Sequence, residues 1–142
     1  CEEIGIDGLI LPDLPLAEYE EHYKAIFEQH NLVNVFLITP QTSDARIKQI
    51  DAASNGFIYM VSSASTTGRT SGFGEEQLNY FERIGSLNLK NPQIVGFGIK
   101  DEETFNQATS KAKGAIIGSA FIKHLTEEGT GNIDGFVKKI RK

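Results

Sequence analysis

Thr66-Thr67-Gly68, Gly96-Phe97-Gly98 and Gly118-Ser119-Ala120 each follow an apolar run that reads as a buried β-strand, at 56–61, 93–95 and 114–117. Glycine at the carboxyl end of a parallel strand leaves backbone N–H groups uncovered by side chains, and a helix starting just beyond adds partial positive charge. Three such ends on one rim would form a cup for a phosphate group. A cup of this kind needs no lysine or arginine, which suits a chain of formal charge -5 and pI near 5.2. The same charge argues against nucleic acid or an anionic membrane surface as partner, so an anionic ligand must be held by local dipoles.

The elements that must position these glycines alternate strand and helix without a break. Apolar runs at 6–11 and 33–38 precede the three already named, giving five strands. A helical pattern over about 16–30 carries Tyr19, Tyr23, Ile26 and Phe27 at helical spacing. Ser43 suits the N-cap of a helix through Ile47, Ile50 and Ala53; a further helix spans about 75–84, Asp101 caps the next, and helical turns close the chain. The stretch 62–72 is small, polar and too poor in apolar residues to pack, and is expected to be a long functional loop. With 142 residues, 14 Gly and 4 Pro, and no linker or low-complexity segment, residues 1–142 read as part of a single domain. The single cysteine, Cys1, forms no internal disulfide, and no apolar run approaches the roughly 18 residues of a spanning helix. A cytoplasmic protein is the expectation. Residues 1–5 read as a last helical turn closed by Gly5, and the only methionine is Met60, so the sequence is expected to begin partway along a longer one.

Parallel βα repetition admits an open doubly wound sheet or an arc of a closed (β/α)8 barrel. A whole barrel takes about 250 residues, so five of eight units fit this length. An open sheet of the response-receiver type needs an acceptor carboxylate after the third strand, where this chain has Tyr59-Met60-Val61-Ser62. The expected fold class is α/β, a partial (β/α)8 TIM barrel holding parallel strands four to eight.

Gly5-Ile6-Asp7-Gly8-Leu9-Ile10-Leu11-Pro12-Asp13-Leu14-Pro15 resembles the fourth-strand segment of the tryptophan synthase alpha chain family, and Val35-Phe36-Leu37-Ile38-Thr39-Pro40 its fifth strand. Phe57-Ile58-Tyr59 with Thr67-Gly68 resembles the sixth strand and its loop, Gly96-Phe97-Gly98-Ile99 the seventh, and Gly114-Ala115-Ile116-Ile117-Gly118-Ser119-Ala120 the eighth. Each motif alone is weak, whereas five in register are specific. The loop departs from the family pattern in lacking an early arginine and the Gly-Val-Thr-Gly ending, while keeping Thr67 and Gly68.

The resemblance implies an indole-3-glycerol-phosphate lyase of tryptophan biosynthesis. The reaction is a retro-aldol cleavage to indole and glyceraldehyde 3-phosphate, run without metal or cofactor. It implies a phosphate on Gly68, Gly98, Gly118 and Ser119, an indole ring against Ile10, Leu37, Tyr59 and Phe97, and Thr67 closing over the site. It further implies a β-chain partner near Pro15, Leu16 and Glu18. The family's acid/base glutamate and aspartate fall before the segment this chain matches, Asp13 does not map onto them, and no catalytic residue is assigned. Packing supplies competing roles for the same residues. The glycines also suit plain strand-to-helix turns, Ser119 an N-cap, and Leu37, Tyr59 and Phe97 interior packing. His22, His30 and His124 are read as solvated. Two other functions fit the cup: a noncatalytic half-barrel that binds a phosphate ligand, and another phosphate-binding biosynthetic TIM barrel.

Overall fold

Gly5 adopts a left-handed conformation (φ 72°) and closes a 3-10 turn over Glu2–Ile4 in the computed structural model, which describes residues 1–62 and 72–141. Strand β1 then covers Gly8–Ile10, shorter than the apolar run 6–11. It ends early because the chain turns at Pro12, where Leu14 N–H donates to Leu11 O at 3.2 Å. The expected first helix forms in three pieces: α1 (Leu16–Glu18), a π-helical stretch (Tyr19–Tyr23) and α2 (Lys24–Gln29). Strand β2 (Val33–Ile38) leads to α3 (Asp44–Ala53), whose N-cap Ser43 accepts a hydrogen bond from Arg46 N–H at 3.3 Å. Next come β3 (Ile58–Val61), α4 (Glu75–Ser86), β4 (Gln93–Gly96) and α5 (Glu102–Thr109). The start of α5 is a capping box: Asp101 Oδ1 accepts from Thr104 N–H at 2.9 Å and Thr104 Oγ1 accepts from Asp101 N–H at 3.2 Å. Strand β5 (Gly114–Ile116), α6 (Ser119–Glu128), a 3-10 turn (Thr130–Asn132) and α7 (Ile133–Ile140) complete the chain.

The five strands form one parallel sheet in the order β1-β2-β3-β4-β5. A doubly wound sheet reverses its strand order and carries helices on both faces. Here the order never reverses, and the helices cover one face. The row Ile38, Met60, Val95, Ala115 runs straight across β2 to β5 and packs with Tyr19, Phe27, Ile47, Ile50, Phe81 and Ile84 from the helices. The neighbouring row Leu37, Tyr59, Ile94, Gly114 points the other way and lies outside that buried cluster. One-sided coverage and sequential order are the signature of barrel staves.

Four expectations need correction. Gly96 lies inside β4 and is buried, so the left-handed turn begins only at Phe97. Ser119 is the first residue of α6 and not its cap, a position Gly118 takes. Leu16 is 5% exposed and anchors α1 in the core, so of the three residues expected to meet a partner only Pro15 and Glu18 are exposed. His124 is not solvated: its ring lies 5.0 Å from that of Phe136, and its Nε2 sits 3.0 Å from Asn132 O, because α6 and α7 close on it. Among the described residues no helix is long and apolar enough to cross a membrane.

Candidate functional site

The face of the sheet that the helices leave uncovered carries Ile10, Leu37 and Tyr59 on β1 to β3, Ile94 and Gly96 on β4, and Gly114 and Ile116 on β5. Leu37 and Tyr59 are register partners, and Ile10, paired with Val35, lies one inward-facing position lower on the neighbouring strand. Tyr59 leans toward β4, where a Cβ on Gly96 would fall 2.0 Å from its Oη and 2.2 Å from its Cζ. Gly96 is therefore the seat of the Tyr59 ring. Burial pushes the Tyr59 hydroxyl up from its ordinary range, so it remains a neutral phenol at pH 7. The Phe97 ring stands 6.0 Å from that of Tyr59 and is half exposed. Leu37, Tyr59 and Phe97 make an apolar wall at the carboxyl end of the strands, with Ile10, 45% exposed, at its far side.

Beside this wall lies a group of unshielded backbone. Phe97 (φ 67°) and Gly98 (φ 77°) are both left-handed, and both are exposed. For Phe97, a residue with a Cβ, that conformation costs on the order of 1–2 kcal/mol. Strain of this sort persists where the surroundings enforce it and clusters at binding sites. Val61, Gly96 and Ile116 share one register row, so β3, β4 and β5 end level. Gly118 and Ser119 follow β5 after Ile117 and are exposed, and a Cβ on Gly118 would meet nothing within 4 Å.

Five helices among the described residues have eight residues or more, and α6 differs from the rest. Ser43 caps α3 and Asp101 caps α5, and the first turns of α3, α4, α5 and α7 all contain acidic residues. The first turn of α6 has no acidic residue, and its N-cap, Gly118, supplies no side-chain hydrogen bond. Its leading N–H groups thus keep their partial positive charge for something outside the helix. Together the two features can take a flat apolar group on the wall and a phosphate at the end of α6.

The structure brings together Leu37, Tyr59, Phe97 and Gly98, and sets Gly118 and Ser119 on the adjoining strand end. Thr67 and Gly68 lie outside the described residues. Asp13 is exposed on the turn after β1. Sequence reasoning missed Ser62 and Phe73. Ser62 is 1% exposed and its hydroxyl donates to Phe97 O at 2.8 Å; a Cβ on Gly98 would fall 3.1 Å from Phe73 Cε1. Neither carries a signal in the sequence, since Ser62 falls inside the stretch that reads as loop and Phe73 borders it. Among the described residues no cluster of three or more His, Cys, Asp or Glu is placed to hold a metal ion.

A family model described as tryptophan synthase alpha chain matches residues 1–141. The chain is 72% identical over 141 residues to the tryptophan synthase alpha chain of Flavobacterium johnsoniae, covering 99% of this chain and 56% of that one. It is 70% identical to that of Christiangramia forsetii, covering 99% and 55%. Among solved structures, a variant of the tryptophan synthase alpha-subunit from the hyperthermophile Pyrococcus furiosus superposes with a TM-score of 0.81 at 29% identity. The match covers 98% of this chain and 56% of that one. A tryptophan synthase complex from the same organism gives 0.74 at 28% identity, covering 98% and 54%. The chain spans about half the length of the relatives it matches.

Proposed function

The chain belongs to the tryptophan synthase alpha chain family, and on that premise we propose that it is the phosphate- and indole-binding part of a lyase subunit. The reaction is the retro-aldol cleavage of indole-3-glycerol phosphate to indole and glyceraldehyde 3-phosphate. In this reading the indole ring lies on Ile10, Leu37, Tyr59 and Phe97, and the phosphate accepts hydrogen bonds from the N–H groups of Gly98 and Gly118 and from Ser119. Thr67 and Gly68 complete the set from the adjoining segment. The observation that carries the reading is the α6 N-terminus, without a side-chain cap bond or an acidic residue in its first turn, beside the exposed left-handed turn at Phe97 and Gly98.

Within this chain the work is binding and orientation. The wall fixes the apolar end of the substrate and the strand ends fix its phosphate, so the bond to be broken is held between two anchored groups. The acid and base that move protons in the family's reaction are carboxylates with no counterpart in these residues. The indole product passes to a β-chain partner, for which the exposed stretch Pro12, Asp13, Pro15 and Glu18 is the docking edge.

A chimaera tests the reading. Residues 1–142 are joined to the N-terminal remainder of the Flavobacterium johnsoniae relative, and indole release from indole-3-glycerol phosphate is followed. Turnover is expected. A folded chimaera that binds glycerol 3-phosphate yet releases no indole would instead support a noncatalytic phosphate-binding barrel.

A further inference from the structure

Ser62 closes β3 one step past its last paired residue, and its two polar groups reach across to β4 in different ways. Its N–H donates to Gly96 O at 3.2 Å, which extends the sheet ladder by one rung. The ladder cannot go further, because Phe97 turns left-handed and swings its carbonyl out of register. The Ser62 hydroxyl fills that gap by donating to Phe97 O at 2.8 Å. The serine is 1% exposed, so this hydroxyl is committed to the protein and not to solvent.

The bond acts on one peptide plane. In a trans peptide the carbonyl oxygen and the following N–H point to opposite sides of the chain. Holding Phe97 O from the β3 side therefore fixes the direction of the Gly98 N–H. The ring of Phe73, close behind the Gly98 Cα, limits movement on another side. We propose that Ser62 is a positioning residue that, by holding the Phe97 carbonyl, aims the Gly98 N–H at the substrate's phosphate. The inference rests on the phosphate reading given above. It adds that the donor is held in place by a side chain from the neighbouring strand, so the ligand need not organise it.

Calorimetry on the full-length chimaera, with glycerol 3-phosphate and indole as separate probes, tests this. Ser62→Ala is expected to weaken glycerol 3-phosphate by about tenfold, the scale of one hydrogen bond, and to leave indole affinity unchanged. Ser62→Thr, which keeps the hydroxyl, is expected to recover most of the loss. In 15N spectra the Gly98 amide resonance should move on addition of glycerol 3-phosphate to the parent and lose that response in Ser62→Ala. The Gly118 response should persist. Gly118→Val separates the two readings. If it loses glycerol 3-phosphate while Ser62→Ala binds like the parent, the positioning role is overturned and the phosphate site stands. If neither variant changes binding, the phosphate site itself is wrong and the proposal falls with it. Equal losses for indole and glycerol 3-phosphate in Ser62→Ala would mark a merely structural serine and overturn the proposal as well.

Discussion

The two ends of the sheet treat polar groups in opposite ways. Where the strands begin, Asp51 on α3 accepts hydrogen bonds from Lys90 N–H at 2.9 Å, Asn91 N–H at 3.0 Å and Asn91 Nδ2 at 2.8 Å. Asn91 Nδ2 also reaches Asp51 O, and Lys90 Nζ reaches Ala52 O. Donors and acceptors of the loop before β4 are thus consumed within the protein. Where the strands end, Phe97, Gly98, Gly118 and Ser119 are exposed and α6 starts without a side-chain cap bond. In a barrel the first end serves stability and the second carries chemistry. The difference predicts that substitutions at one end move stability alone, while those at the other move ligand affinity.

The largest effect concerns the rim as a catalyst. General acid–base assistance is typically worth about 10²–10⁴ in rate, and no carboxylate of this chain is assigned that role. Residues 1–142 alone should therefore release no detectable indole from indole-3-glycerol phosphate. Release abolished by Asp13→Asn would place a catalytic carboxylate within this chain and break the division drawn here. The same isolated chain should also self-associate, because its edge strands β1 and β5 have no outer partner among the described residues. Ile4, Ile6, Ile10 and Leu11 are exposed near one edge, and Ile122, Ile133 and Val137 lie exposed in the helices that follow the other. A monodisperse monomer in sedimentation at high concentration would count against open edges.

Next in size is a contrast between two rim glycines. Each charge-assisted hydrogen bond lost to a phosphate is worth about 1–3 kcal/mol. Gly118→Val introduces a side chain into open space, so in the chimaera it should abolish glycerol 3-phosphate binding with little change in melting temperature. Gly98→Val combines a left-handed φ with a 3.1 Å approach to Phe73 and should lower both affinity and melting temperature. Equal destabilisation by the two variants would show that Gly118 is a structural turn.

How much of this was legible in the sequence follows the same division. Five strands, their parallel order and the caps at Ser43 and Asp101 are local matters of apolar runs, spacing and short side chains that reach their own backbone. All were readable. The rim glycines were readable as a group because glycine after a strand leaves a distinct trace. Which side of Gly96 the strand ends on was not, because it depends on the Tyr59 ring occupying the space where a Cβ would stand. Leu16 was misread as a contact residue because nothing in Pro15-Leu16-Ala17-Glu18 tells which residue of a helix's first turn faces the core. Ser62 was missed because its partner carbonyl belongs to a residue 35 positions away.

Overpacking in that region gives an effect of about 1–3 kcal/mol. Gly96→Ala should destabilise the chimaera by this amount, since its methyl would overlap the Tyr59 ring, and Tyr59→Phe should not relieve it because Cζ and Cε1 lie within 2.4 Å as well. Tyr59→Ala should relieve most of it. Full additivity of the Gly96→Ala and Tyr59→Ala effects in urea melts would show that the ring is not seated there.

The smallest effect belongs to the other end of the sheet and sharpens the comparison through pH. Partial burial pulls the Asp51 carboxyl up, but the hydrogen bonds from Asn91 and Lys90 and the Lys90 charge outweigh it and hold the group below its ordinary value of 3.8. A carboxylate depressed in the folded state contributes stability that is fully present above the unfolded value and is lost as pH falls through the folded one. Asp51→Ala in the chimaera should therefore cost about 1–2 kcal/mol at pH 7, a modest figure because the group is only partly buried. That penalty should shrink once the pH drops below about 4. Glycerol 3-phosphate affinity at pH 7 should stay at the parent value, since the network sits at the far end of β4 from Gly98. Urea melts at pH 7 and pH 3 check the first part and calorimetry the second. A penalty unchanged at pH 3 would mean that the amide donors of Asn91 and Lys90 prefer the charged carboxylate no more than the neutral acid. A loss of affinity would mean that the two ends of the sheet are coupled.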